Sequence, residues 1–151
     1  MSASPKRVLL VEDDPSDVML MEEALKESGA SIEFQVARDG IEAMAYLGGQ
    51  GAFAGAARPS LVLLDWRLPQ KSGEEVLREI RGDPALKLLP VLVLTTSASE
   101  KDVRAAYSLG ANAFITKPTG MDRLRELVSL IERFWLVCAS LPVESERASI
   151  K

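Results

Sequence analysis

Two adjacent carboxylates at Glu12-Asp13, a third at Asp65, a hydroxyl at Thr95 and an amine at Lys117 are the candidate reactive groups of this 151-residue chain. Each stands at or just beyond the end of a short apolar run. Carboxylates crowded together repel one another, and a divalent cation is the simplest relief. Hard oxygen donors without histidine or thiolate ligands indicate Mg²⁺, which takes one or two carboxylates together with phosphate oxygens and water. A lysine and a hydroxyl beside such a cation can hold the oxygens of a phosphoryl group. An aspartate can itself accept that group as an acyl phosphate. Together these residues point to phosphoryl transfer onto Asp65.

That chemistry needs a scaffold that brings the five groups to one place. Arg7 to Val11, Leu61 to Leu64 and Val91 to Leu94 are short continuous apolar runs, the pattern of strands buried on both faces of a parallel sheet. Ile32 to Ala37 alternates apolar and polar and predicts a strand with one flank less buried. Ala113 to Thr116 predicts the fifth. Between them run five helical patterns. The first starts at Pro15 behind Asp14 and reaches about Glu27, where Ser28-Gly29-Ala30 ends it. The second opens at Asp39-Gly40-Ile41-Glu42 and runs to about Leu47. The third follows the capping box Ser72-Gly73-Glu74-Glu75 and closes at Asp83-Pro84. The fourth spans about Glu100 to Leu109. The last runs from about Met121 to Val137, with Leu124, Leu127, Val128, Ile131 and Trp135 at helical spacing. Asp14, Asp39 and Asp122 are expected as caps, and Met19, Met21 and Met44 as core filler. The Gly/Ala-rich connection 48–60 lacks the Lys-Ser/Thr of a P-loop and precedes a strand, so it is taken as a surface loop.

Strands alternating with helices, joined by right-handed crossovers, give an α/β fold: a doubly wound five-stranded parallel sheet of order 2-1-3-4-5 with helices on both faces. Ligands of such sheets bind beyond the carboxyl ends of the strands, at the switch point between the first and third. Glu12, Asp13, Asp65, Thr95 and Lys117 are all at strand ends of that kind. The expected organisation is a tail over 1–6, one domain over 7–137 and a second tail over 138–151.

Composition narrows the alternatives. The chain has no histidine, which excludes Ser-His-Asp and Cys-His mechanisms, His-ligated zinc and any phosphohistidine of its own. A net charge of −4 without a Lys/Arg block argues against nucleic-acid binding. No apolar run approaches a membrane span and no secretory leader is evident, so no membrane role and a cytoplasmic location are expected. The single cysteine, Cys138, is expected to be an inert thiol.

Five pieces in order, V-E-D-D near the start, L-L-D-W-R-L-P, the K-S-G turn at Lys71-Ser72-Gly73, L-T-T, and F-I-T-K-P, resemble the receiver domain of two-component response regulators over about Arg7 to Val137. The resemblance implies a flavodoxin-like receiver fold and a signalling role rather than a metabolic enzyme. It makes Asp65 the phosphoacceptor, served by a phosphohistidine on a separate sensor histidine kinase. Asp13 and Asp65 would ligate Mg²⁺ with the backbone carbonyl of Arg67, and Glu12 would act through a metal-bound water. Thr95 matches the switch hydroxyl and Lys117 the lysine that pairs with the phosphoryl group. Phe114 takes the aromatic switch position, although Phe packs without the hydrogen bond that Tyr or His would make there. Thr96 would shape access to the site, while Trp66 and Arg67 either gate that access or cover the sheet edge. The long connection before the third strand, the L-T-T-S run and the ending Phe134-Trp135-Leu136 resemble stand-alone regulators paired with bacterial phytochromes. That subfamily implies a phytochrome as the kinase and a homodimer, with Phe134 and Trp135 either at the interface or in local core.

Three other functions compete. An aspartyl-phosphate hydrolase of the haloacid dehalogenase type would have a second Asp two residues after the nucleophile, where this chain has Arg67. A receiver that serves only as a non-phosphorylated scaffold has no need for the full acid, Thr and Lys set. A flavodoxin-like FMN binder needs a Ser/Thr-rich loop where Glu12-Asp13-Asp14 stands.

Overall fold

The computed structural model describes residues 6–27, 32–96 and 99–142. The Ser28-Gly29-Ala30 helix stop, Ser97 of the L-T-T-S run, most of the N-terminal tail and residues 143–151 lie outside the described residues. Five parallel strands, β1 (Lys6–Val11), β2 (Ile32–Ala37), β3 (Leu61–Leu64), β4 (Val91–Thr95) and β5 (Ala113–Thr116), form one sheet of order β2-β1-β3-β4-β5. The helices are α1 (Pro15–Glu27), α2 (Gly40–Gly48), α3 (Gly73–Gly82), α4 (Glu100–Ser108) and α5 (Met121–Ile131).

Alternation along the central strands divides the core into two layers. Leu9, Val11, Val62, Leu64, Val91 and Val93 pack with residues of α2, α3 and α4, among them Leu47, Val76, Leu77, Ile80 and Ala106. Val8, Leu10, Leu61, Leu63, Leu92 and Leu94 face the other way, against Met21 and Leu25 of α1 and Leu124, Val128 and Ile131 of α5. Burial of both faces explains why β1, β3 and β4 read as unbroken apolar runs. β2 forms one edge, and its Glu33 and Gln35 are exposed, as its alternating sequence predicts.

Local chemistry sets the helix starts. Ser72 Oγ accepts the Glu75 N–H while Glu75 returns a bond to the Ser72 N–H, completing the capping box of α3. Asp39 accepts the Glu42 N–H at 2.8 Å, and Asp14 accepts the Ser16 N–H at 2.9 Å. Asp122 does not cap. The cap of α5 is Gly120, and Asp122 sits inside the first turn, fully exposed, where it accepts from Arg125. The flexibility of Gly at φ 92° supplies a chain reversal that an aspartate would strain. Met19 also departs from expectation. It is 67% exposed, because α1 turns Met21, Ala24 and Leu25 inward and position 19 outward. Met21 is buried and Met44 packs against the core.

The last helix continues past Ile131 as a π-helical stretch, Glu132–Cys138, so the helical path reaches the predicted Val137 by a wider winding. Cys138 is exposed. The 48–60 connection contains a short 3₁₀ turn at Gly51–Phe53, tied down by the edge-to-face contact of Phe53 with Tyr46.

Candidate functional site

Ladder hydrogen bonds continue one residue past the strand ends and place the reactive groups. The Glu12 N–H donates to the Ala37 carbonyl at 2.9 Å, and the Asp65 N–H to the Val11 carbonyl at 3.0 Å. The Lys117 N–H donates to the Thr95 carbonyl at 2.8 Å. Backbone pairing thus fixes Glu12, Asp65 and Lys117 relative to one another before any side chain acts. Glu12, Asp13 and Asp65 each offer a carboxylate oxygen within 4.8 Å of the others. Glu12 is 3% exposed and Asp65 8%, whereas Asp13 faces solvent.

Lys117 enters this acid cluster from β5. Its Nζ donates to Glu12, lies 3.0 Å from Asp17 Oδ2 and pairs with Asp65 Oδ2 at 3.5 Å. Burial opposes the ammonium, but the bonds to Glu12 and Asp17 and the charges of Glu12 and Asp65 prevail. They push the lysine up to about 12, so it is charged at neutral pH. Burial acts in the other direction on Glu12. With the Asp65 charge added, it outweighs the Lys117 bond and raises the carboxyl to about 7. A buried, reluctantly ionised acid in a cluster of three is a site whose charge a divalent cation would relieve. The donor set is all oxygen, so it fits a hard cation.

The remaining predicted residues divide into those at the site and those away from it. Thr95 is fully buried as the last residue of β4, opposite Thr116 of β5. Arg67 follows β3, and its N–H donates to Asp65 Oδ1 at 3.2 Å, orienting that carboxylate. Thr96 is exposed just beyond β4. An open basin of about 660 Å³ adjoins the cluster, bordered by Asp13, Arg67, Ser99 and Asp102. Trp66 also lines this basin, although it is buried rather than open to solvent. It is 4% exposed and packed in the core beneath α2 and α3. Gly73, where α3 begins, lets the helix approach the turn after β3 closely: a Cβ there would collide with the Asp65 carbonyl oxygen and sit 2.7 Å from Trp66 Cα. Phe114 packs, partly buried, against the core from β5. Phe134 and Trp135 lie far along the chain on the π-helical stretch, in edge-to-face contact with ring centroids 5.3 Å apart. Trp135 leans on the core, and Phe134 is 57% exposed.

Two partners escaped the sequence analysis. Asp17 is a carboxylate ligand of Lys117, and Asp102 of α4 receives the Arg67 guanidinium at 2.6 Å. An acid in the first turn of a helix is the ordinary complement to the helix dipole, so neither carried a distinguishing signal.

A sheet of this order with three acids, a threonine and a lysine at its carboxyl edge defines the class. The chain belongs to the response regulator receiver domain family, whose model matches residues 8–129. Among its relatives, the response regulator Rcp1 of Synechocystis sp. is 48% identical over 141 residues, 93% of this chain and 96% of the relative. The crystal structure of the phosphorylated cyanobacterial phytochrome response regulator RcpA superposes with a TM-score of 0.89 at 48% identity, covering 93% of this chain and all of that one. The Mn²⁺-bound form of Rcp1 matches with a TM-score of 0.86 at 47% identity, over 92% of this chain and all of that one. The chain is therefore a response regulator receiver, homologous to phytochrome-associated regulators. Among the described residues no helix is long and apolar enough to cross a membrane.

Proposed function

We propose that this receiver accepts a phosphoryl group on Asp65 from the phosphohistidine of a sensor kinase, in a Mg²⁺-dependent reaction. The single observation that carries this is the convergence of Glu12, Asp13, Asp65 and Lys117 in one crevice. A carboxylate oxygen of Asp65 forms the new O–P bond as the donor P–N bond breaks, and the electron pair leaves with the imidazole nitrogen. Glu12, Asp13 and Asp65, with the Arg67 carbonyl, would hold the cation. When bound, it neutralises negative charge shared by the carboxylates and the phosphoryl oxygens. Lys117 supplies a fixed positive charge beside Asp65, and Thr95 a hydroxyl from β4. The open basin adjoins the cluster at Asp13, on the side where Arg67 follows β3.

The likeness to the cyanobacterial phytochrome response regulator RcpA supports a phytochrome-linked kinase as the donor. The output is a change of protein contacts: new charge at the strand end draws Thr95 and its loop inward and shifts the population of surface states around α4 and β5. Phe114 packs without a side-chain hydrogen bond, so its part in that shift is steric. Leu130, Phe134 and Val137, all more than half exposed at spacings of four and three, support a homodimer contact at the end of α5. The test is phosphotransfer from a ³²P-labelled histidine kinase. Label must pass to the wild type, require Mg²⁺ and fail in Asp65→Asn. Steady release of phosphate from small esters would point to a hydrolase instead.

A further inference from the structure

Lys117 has three carboxylate neighbours, and they are not equivalent. Glu12 and Asp65 belong to the trio able to hold a cation; Asp17 does not. A cation among Glu12, Asp13 and Asp65 competes with the ammonium for the Glu12 and Asp65 carboxylates, and repels the ammonium itself. Lys117 then keeps one anionic partner that the cation does not claim. Asp17 is well placed to serve. It sits in the first turn of α1, whose start is fixed by the Asp14 bond to the Ser16 N–H, and its Oδ2 lies 3.0 Å from Nζ. Its side chain is 34% exposed, against 12% for Lys117, so it stands at the mouth of the crevice with the lysine inside.

We propose that Asp17 is the positioning residue of Lys117: it holds the ammonium beside Asp65 when Glu12 and Asp65 turn to the cation, ready to meet the phosphoryl oxygens. The proposal rests on the phosphoacceptor function above. It also explains why a helix-first-turn acid reaches across to a strand 100 residues later rather than remaining in solvent. Asp17 touches neither the phosphoryl group nor the cation and acts only through Lys117.

The test uses ¹⁵N-lysine-labelled protein with Mg²⁺, the Lys117 ammonium resonance being assigned by its loss in Lys117→Met. In the wild type this resonance is sharp. In Asp17→Asn, and in Asp17→Ser as a second charge-removing variant, it shifts or broadens, while Mg²⁺ affinity read from tryptophan fluorescence stays within about twofold. Phosphorylation by acetyl phosphate slows by about three- to tenfold in both variants, the scale of one partly exposed charged hydrogen bond. In a Lys117→Met background the same substitutions add nothing. An unchanged Lys117 resonance, or an equal slowing in the Lys117→Met background, overturns the proposal. A resonance that responds to Asp17 in a protein that takes no phosphoryl group overturns the phosphoacceptor function and leaves the positioning contact standing.

Discussion

Arg67 and Asp102 join the two loops that border the basin: the guanidinium Nη2 lies 2.6 Å from the Asp102 carboxylate, across 35 residues of sequence. Asp102 is nearly buried and its N–H is capped by Ser99 Oγ, so the turn after β3 is fastened to the first turn of α4. Arg67 itself is largely exposed, which limits the pair to about 1 kcal/mol or less. The contact therefore matters more for coupling than for stability. Arg67→Ala should move the urea midpoint little but speed amide exchange over residues 100–108. Unchanged exchange there would show that the two loops move independently.

Gly73 decides how closely α3 can approach the turn that carries Asp65. In Gly73→Ala the new methyl meets the Asp65 carbonyl and the Trp66 backbone, neither of which is a flexible side-chain end. The expected cost is about 1–3 kcal/mol in denaturant unfolding, the range for overpacking. Divalent-cation affinity should fall with it, because the displaced backbone carries both Asp65 and the Arg67 carbonyl. A variant of wild-type stability would mean that the turn yields freely.

The raised Glu12 carboxyl makes a pH prediction for the metal-free protein. Burial lifts it from an ordinary 4.5 to about 7, so the folded state favours the protonated acid. That contribution is complete below about 4.5, is withdrawn as pH climbs to about 7, and does not change further above it. Glu12→Gln lacks it. In urea melts with EDTA, the stability of the wild type relative to Glu12→Gln should fall between pH 4.5 and 7 and then level off. A rising difference over that window would contradict the assigned burial effect.

At the far end of α5, Phe134 offers an exposed ring beside Leu130 and Val137. If this patch closes a homodimer, Phe134→Ala should raise the dissociation constant about tenfold or more, as loss of an aromatic anchor does. Sedimentation over a dilution series measures it. Identical profiles for the two proteins would move the contact elsewhere or remove it.

The central strands were legible because burial on both faces leaves an unmistakable apolar run, and the convergence of Glu12, Asp13, Asp65 and Lys117 was legible because each follows a strand. The helix caps at Asp14, Asp39 and Ser72 followed from the same local chemistry. What escaped was set by tertiary packing. Trp66 borders the basin yet is only 4% exposed, a depth of burial set by its packing in the core. Met19 faces solvent because the buried stripe of α1 runs through Met21 and Leu25, two and six residues on. Gly120 rather than Asp122 starts α5. The Asp17–Lys117 and Arg67–Asp102 contacts join residues 100 and 35 positions apart, and nothing local to any of the four marks them as partners.

The most direct test is intact mass after incubation with acetyl phosphate and Mg²⁺, for the wild type and Asp65→Asn. The wild type should gain the mass of one phosphoryl group, only with the cation present, and Asp65→Asn should gain none. Equal modification of both proteins, or none in the wild type under acetyl phosphate and under a phosphorylated histidine kinase alike, would contradict Asp65 as the phosphoacceptor.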